Sequence, residues 1–186
     1  MEAKGSSLIS TREFVRSNFG EDGLRRWLEA LSPESKKLYG AAIISTNWYP
    51  LKEGLVDPTG KICGVFYKGD LRGAWESGRY SADHGLNGIY KLFIQIASPQ
   101  FIIKKASTIL PTYYKPSIMK ASEVGPNGAI VEILEFREIS EVIESRVAGW
   151  IEHALEICGC KNINVAFLKS MAHGEGRTQY VIKWDN

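Results

Sequence analysis

The spacing of apolar and polar positions changes along the chain. Up to about residue 111, apolar residues recur every three or four positions, as in amphipathic helices. From residue 112 onward they alternate with polar residues, as in strands, apart from one long helical stretch after Ser140. The pattern therefore predicts a helical part over about 8–111 and a hairpin-helix-hairpin part over about 112–186.

The second part has the features of a sheet with one buried face. Residues that alternate with polar neighbours are Ile163, Val165 and Phe167 in one segment and Tyr180, Ile182 and Trp184 in another. Residues 129–136 are apolar on both faces, as in a central strand. We expect an α+β fold in which an N-terminal helical layer packs on a four-stranded antiparallel sheet. With 186 residues, the chain 1–186 is most simply a single domain.

Glycines interrupt the helical pattern between residues 70 and 97. They are Gly73, Gly78, Gly85 and Gly88. Each costs roughly 1 kcal/mol relative to alanine inside a helix. Such a density predicts either close packing between helices or a break near Gly78.

Composition is that of an ordinary folded protein, with 44% apolar and 24% charged residues, and only residues 1–7 are expected to be loose. The 23 basic and 21 acidic residues are interspersed, which argues against a nucleic-acid partner. No apolar run reaches the roughly 20 residues that span a bilayer, and the N-terminus lacks the apolar core of a secretion signal. We therefore expect no membrane span and a cytoplasmic location. The chain has three cysteines, and an odd number fits a reducing compartment better than a disulfide framework.

Several short segments resemble an uncharacterised bacterial family best known as a paralogous group in myxobacteria. They are Ala82-Asp83-His84-Gly85-Leu86-Asn87-Gly88-Ile89-Tyr90, Ala97-Ser98-Pro99-Gln100-Phe101, Thr112-Tyr113-Tyr114, Trp48-Tyr49-Pro50-Leu51 and Ala148-Gly149-Trp150-Ile151-Glu152. The resemblance covers most of the chain from about Leu31 onward. Its motifs are structural and imply no known activity.

The order of elements is more remotely similar to a superfamily that groups the H-NOX haem domains, the 4-vinyl reductase small-molecule-binding domains and the TRAPP vesicle-tethering subunits. This is a likeness of architecture, which does not fix function. It implies a pocket between the helical layer and the sheet, or an interaction surface built on the same frame.

The H-NOX resemblance draws attention to His84. H-NOX domains bind haem through a helical histidine upstream of a Tyr-x-Ser-x-Arg motif, and His84 lies 29 residues before Tyr113. A neutral imidazole facing an apolar pocket would suit iron. The chain reads Tyr113-Tyr114-Lys115-Pro116-Ser117, however, so the Ser and Arg that would bind the haem propionates are not at their positions. The alternative is a helix histidine hydrogen-bonded to a neighbour such as Asp83.

The Cys158-Gly159-Cys160 segment raises the alternative of a thiol site. A zinc site needs four ligands, and His153 and His173 would have to converge on the two thiolates through the fold alone. Core packing of Cys158 at the end of an apolar helix face is the simpler interpretation, and no metal site is expected. Cys63 lies in an apolar segment and is expected to be buried rather than acylated or reactive.

Aromatic residues crowd the helical part and its exit. Those that could line a ligand pocket together with His84 are Tyr113, Tyr114, Tyr90, Phe93, Trp75 and Trp150. Core packing must account for most of them. The functional interpretation is an apolar cavity in which a few hydroxyl groups orient a ligand.

No Gly-x-Ser-x-Gly, His-Glu-x-x-His or phosphate-loop motif is present, and no catalytic residues are expected. The sequence therefore predicts a non-enzymatic small-molecule-binding or sensory domain whose partner is an apolar small molecule. No cofactor is required by this interpretation, with haem the one left open. The alternative is a protein-interaction or scaffold module that acts as a homodimer.

Overall fold

The computed structural model describes residues 1–85, 97–122 and 124–185. Its elements in chain order are β1 (Glu2–Lys4), α1 (Gly5–Ala30), α2 (Pro33–Tyr39), β2 (Trp48–Pro50), α3 (Asp57–Phe66), α4 (Arg72–Gly85), α5 (Pro99–Tyr113), β3 (Tyr114–Lys115), β4 (Ile118–Ser122), β5 (Gly128–Glu135), α6 (Glu141–Ile157), β6 (Lys161–Lys169) and β7 (Thr178–Asp185). A π-helical turn (Lys52–Val56) leads into α3, and a 3-10 turn (Met171–His173) follows β6. The predicted α+β fold is confirmed. None of these helices is both long and apolar enough to cross a membrane.

Both predicted hairpins belong to one antiparallel sheet with strand order β4-β5-β7-β6. The hairpins join through β5 and β7, where Val131 lies opposite Tyr180 and Ala129 opposite Ile182. These four side chains are buried, as alternation along a half-buried strand requires. The Tyr180 hydroxyl donates to the backbone carbonyl of Glu144 at 3.1 Å, so α6 itself packs over the sheet.

A second sheet orders the beginning of the chain. It has three strands in the order β2-β1-β3, and Ala3 is fully buried between Tyr49 and Tyr114. The prediction that residues 1–7 are loose is therefore wrong. A strand of three residues is too short to show an alternating pattern. It is held in place by pairing with strands that are distant in sequence.

Helices α4 and α6 touch backbone to backbone at two glycines. A Cβ atom on Gly78 would lie 2.0 Å from the carbonyl oxygen of Arg146, and one on Gly149 would lie 2.1 Å from the carbonyl oxygen of Trp75. A side chain at either position would force the helices apart. Since α4 continues through Gly78, the glycine-rich segment reflects close helix packing at this position and not a break.

Charged side chains join the same two helices along their outer edge. Arg79 of α4 lies between Glu152 and Glu156 of α6, with nitrogen to oxygen distances of 2.5 Å and 2.7 Å. The Trp75 indole nitrogen donates to the same Glu152 carboxylate at 2.6 Å. These contacts fix how α4 sits along α6, while the glycines fix how closely it approaches.

Candidate ligand cavity between the helices and the sheet

A cavity of about 40 Å³ lies where α5 and α6 meet α1, α4 and β4. Most of its wall is hydrocarbon, contributed by Ile109, Leu110, Met119, Val147, Trp150 and Ile151. Its polar wall residues are Ser7, Ser81, Tyr113, Tyr114 and Arg146. Ligand sites commonly combine an apolar wall with a few convergent polar groups.

Arg146 is buried at this cavity although its side chain is charged. It is 2% exposed. Its Nη1 atom donates to Ser77 Oγ at 2.7 Å and its Nη2 atom to Ser10 Oγ at 3.4 Å. Both serines are neutral, as is the Tyr114 hydroxyl that also bonds to Arg146, and within the described part of the chain no carboxylate forms an ion pair with Arg146. A guanidinium stays protonated in proteins, so a positive charge is held here by neutral groups alone.

Glu144 does not neutralise that charge. Side chains two positions apart on a helix point in different directions. The Glu144 carboxylate accepts hydrogen bonds from Ser170 Oγ at 2.6 Å, from the Ala172 amide at 3.3 Å and from the Thr178 hydroxyl. Helix α6 therefore carries two buried side chains that can bear a charge. Glu144 contacts the second hairpin, and Arg146 lies at the cavity.

The remaining polar groups at the cavity are neutral donors. Burial raises the pKa of Tyr114, while the hydrogen bond and charge of Arg146 offset part of that rise. Burial, with a smaller contribution from Tyr114, also raises the pKa of Tyr113. The Trp150 indole nitrogen is buried without an acceptor among the described residues. The described wall thus offers several N–H and O–H groups and no carboxylate.

The structure brings three of the residues selected from the sequence to the cavity wall, namely Tyr113, Tyr114 and Trp150. Trp75 is instead turned to the outer edge of α4, where it contacts Glu152. Tyr90 and Phe93 lie outside the described residues. The aromatic pattern therefore located part of the wall.

His84 is helical, as expected, and lies on the surface in the last turn of α4. Its side chain is exposed and its ring stacks on Tyr80, with ring centroids 6.0 Å apart. The neighbouring Gly85 lies against the Tyr113 hydroxyl, which an added Cβ would approach to 2.7 Å. His84 is therefore close to a cavity residue in space while its own side chain is not part of the cavity wall.

Arg146 is the charged residue of the cavity wall, and the sequence interpretation missed it. Its signal was present, because it follows Ile143 by three positions and precedes Trp150 by four, which places it on the apolar face of the predicted helix. A charged residue at a predicted core position indicates either a pairing partner or a function. Its serine partners lie in α1 and α4, too far away in sequence for any local pattern to indicate them.

Haem does not fit the described site. The chain has three histidines, all within the described ranges, and none lines the cavity. His153 contacts Glu156 at 2.8 Å and Asp83 at 3.7 Å, while His173 contacts Glu141 at 2.5 Å. Sites for larger organic ligands usually measure roughly 300–1,000 Å³. This cavity is about 40 Å³ and lies beside helices that already touch.

The thiols do not form a metal site in the described part of the chain, where no cluster of three or more potential metal-binding side chains is found. The Cys158 thiol donates to the Ala154 carbonyl at 3.2 Å, and burial raises its pKa to about 12, with Cys160 adding to the shift. Burial also raises the pKa values of Cys160 and Cys63. All three cysteines are free thiols, and Cys63 is buried as expected.

We expect Cys158 to react slowly with alkylating agents. The thiolate is the reactive form, and a pKa of about 12 leaves very little of it at pH 8. Iodoacetamide labelling followed by peptide mass spectrometry should give a rate at least about tenfold below that of an unstructured cysteine peptide. Labelling as fast as the peptide would contradict the raised pKa. The same sample unfolded in urea is the control.

Comparisons with solved structures identify the fold. An H-NOX protein from S. oneidensis in the Fe(II)NO ligation state superposes with a TM-score of 0.76 at 12% identity, covering 98% of this chain and 99% of that chain. The unliganded Fe(II) H-NOX protein from K. algicida gives a TM-score of 0.72 at 10% identity, covering 98% and 97%. A Cs H-NOX mutant that carries 4-cyano-L-phenylalanine gives 0.73 at 16% identity, with the same coverage. No protein-family model and no curated protein matches the chain. The chain therefore has the H-NOX fold, with a sequence remote from those of the H-NOX proteins compared.

Proposed function

We propose that the chain is a non-enzymatic small-molecule-binding domain with a sensory or regulatory role. The observation that carries this proposal is the cavity, whose apolar wall is combined with a buried cation and buried hydrogen-bond donors. The fold gives further support, since the S. oneidensis H-NOX protein of the same fold was solved in a ligated state. Tyr113, Tyr114 and Trp150 are proposed to contact the ligand.

The proposed ligand is not haem. The histidine suggested by the H-NOX resemblance, His84, points to solvent, and the other two contact surface carboxylates. Protein purified from haem-supplied cells is therefore expected to be colourless. An absorption scan that shows a strong Soret band, lost on replacement of His84 with alanine, would overturn this part of the proposal.

A panel of small apolar and amphipathic compounds, assayed by thermal unfolding, tests whether the cavity binds a ligand. A compound that binds only the folded state should raise Tm by about 5–10 °C at a hundred times its Kd. The Ile109→Phe variant is the matched control, because Ile109 lines the cavity, is partly exposed and can take a larger ring that fills the space. If no compound raises Tm, or if each acts equally on Ile109→Phe, the proposed function fails.

A further inference from the structure

The donor groups at the cavity indicate the chemical class of the ligand, an inference that rests on the proposed function. We infer that the cavity binds a small monocarboxylate. Its carboxylate lies against Arg146, and its short hydrocarbon group packs against the apolar wall formed by α5 and α6.

The first reason is charge. Arg146 is 2% exposed, and the hydroxyls that it hydrogen-bonds, those of Ser77, Ser10 and Tyr114, are neutral. A buried charge is strongly disfavoured unless it is paired, and the nearest acidic residue in the sequence of α6, Glu144, is bound to groups of the second hairpin. An anion that enters the cavity supplies the missing pairing.

The second reason is the geometry of the donors. A guanidinium presents five N–H groups in a planar fork, and here three hydroxyl groups, those of Ser77, Ser10 and Tyr114, already bond to it. The two N–H groups that remain equal in number the two oxygens of a carboxylate, a group that arginine binds in a bidentate manner. The Trp150 indole N–H, for which the described residues provide no acceptor, is a further donor at the same wall. This set recognises oxygen acceptors and would repel a cation.

The third reason is size and the character of the wall. A water molecule needs roughly 10–15 Å³ of such space, so a cavity of about 40 Å³ holds only a few groups of that size. Phosphate and sulfate need polar partners on every side, and most of this wall is hydrocarbon, including Met119, Val147 and Ile151. A carboxylate with a short aliphatic group suits both the polar and the apolar walls.

Isothermal titration calorimetry with acetate and its neutral analogue acetamide tests the inference. The wild-type protein should bind acetate about ten- to a hundredfold more tightly than acetamide, because the charge-assisted contact is lost in the amide. In Arg146→Met, which keeps an unbranched side chain without the charge, the two Kd values should become similar. Arg146→Lys keeps a point charge without the fork and should retain part of the preference.

The ratio of the two Kd values separates recognition from structural damage. A merely structural role of Arg146 would weaken both probes equally and leave the ratio unchanged, and that result would overturn the inference. Equal affinities for the two probes in the wild-type protein, or tighter binding of phosphate than of acetate, would also overturn it. If circular dichroism shows that Arg146→Met does not fold, the ratio of the two Kd values in the wild-type protein and in Arg146→Lys still tests the inference. The two proposals can also fail separately. If neither probe binds, but some panel compounds raise the Tm of the wild-type protein and not that of Ile109→Phe, the carboxylate inference is refuted and the proposed function stands.

Discussion

Replacement of Gly149 by alanine is expected to lower the free energy of unfolding by about 3 kcal/mol. The new Cβ atom would lie 2.1 Å from the carbonyl oxygen of Trp75, and that atom belongs to helix backbone and not to a flexible side chain. Helices α4 and α6 would have to separate, which also disturbs the contact of Arg79 with Glu152. Urea unfolding monitored by tryptophan fluorescence measures the loss.

Gly64→Ala provides the matched control. Gly64 also lies within a helix, but an added Cβ meets no other atom within 4 Å. Alanine has the higher helix propensity, so this variant should gain up to about 1 kcal/mol. Similar stabilities for the two variants would show that α4 and α6 are not in backbone contact.

Replacement of Glu144 by alanine is expected to lower the free energy of unfolding by about 3 kcal/mol relative to the wild-type protein. The change leaves the Ser170 and Thr178 hydroxyls and the Ala172 amide without the acceptor that they share. It also leaves an opening beside Tyr180, whose hydroxyl donates to the Glu144 backbone. Equilibrium unfolding in urea gives the change in free energy.

Glu144→Gln is the control for this second change. Glutamine keeps the volume and one acceptor oxygen while it removes the charge. No cation of the described residues forms an ion pair with Glu144, so loss of the charge itself should cost less than about 1 kcal/mol. A loss for glutamine as large as that for alanine would show that a single amide oxygen cannot replace the carboxylate as the shared acceptor.

The hairpin-helix-hairpin part could be predicted because the spacing of apolar residues within each element shows which of its faces is buried. Strands β5 and β7 alternate buried and less buried residues, and α6 repeats apolar residues at helical spacing. Both signals are local, and the pairing of β5 with β7 follows from closing one sheet. The register of that pairing was not predicted.

The cavity could be predicted only in part, for a physical reason. Tyr113, Tyr114 and Trp150 were found because aromatic side chains are conspicuous in any sequence. The serines that hold Arg146 are 69 and 136 residues away from it, and hydroxyl groups on helices give no pattern of their own. His84 was placed on a helix correctly, but small neighbours such as Gly85 do not reveal which face is buried.

The glycine contact between α4 and α6 also bears on protein engineering. A designer who wished to convert this chain into a haem protein could not begin with an axial ligand. Gly78 and Gly149 hold two helix backbones against each other, so a histidine introduced at the cavity would find no room for a porphyrin. Larger residues at those two positions would have to spread the helices first, and the metal ligand would come second.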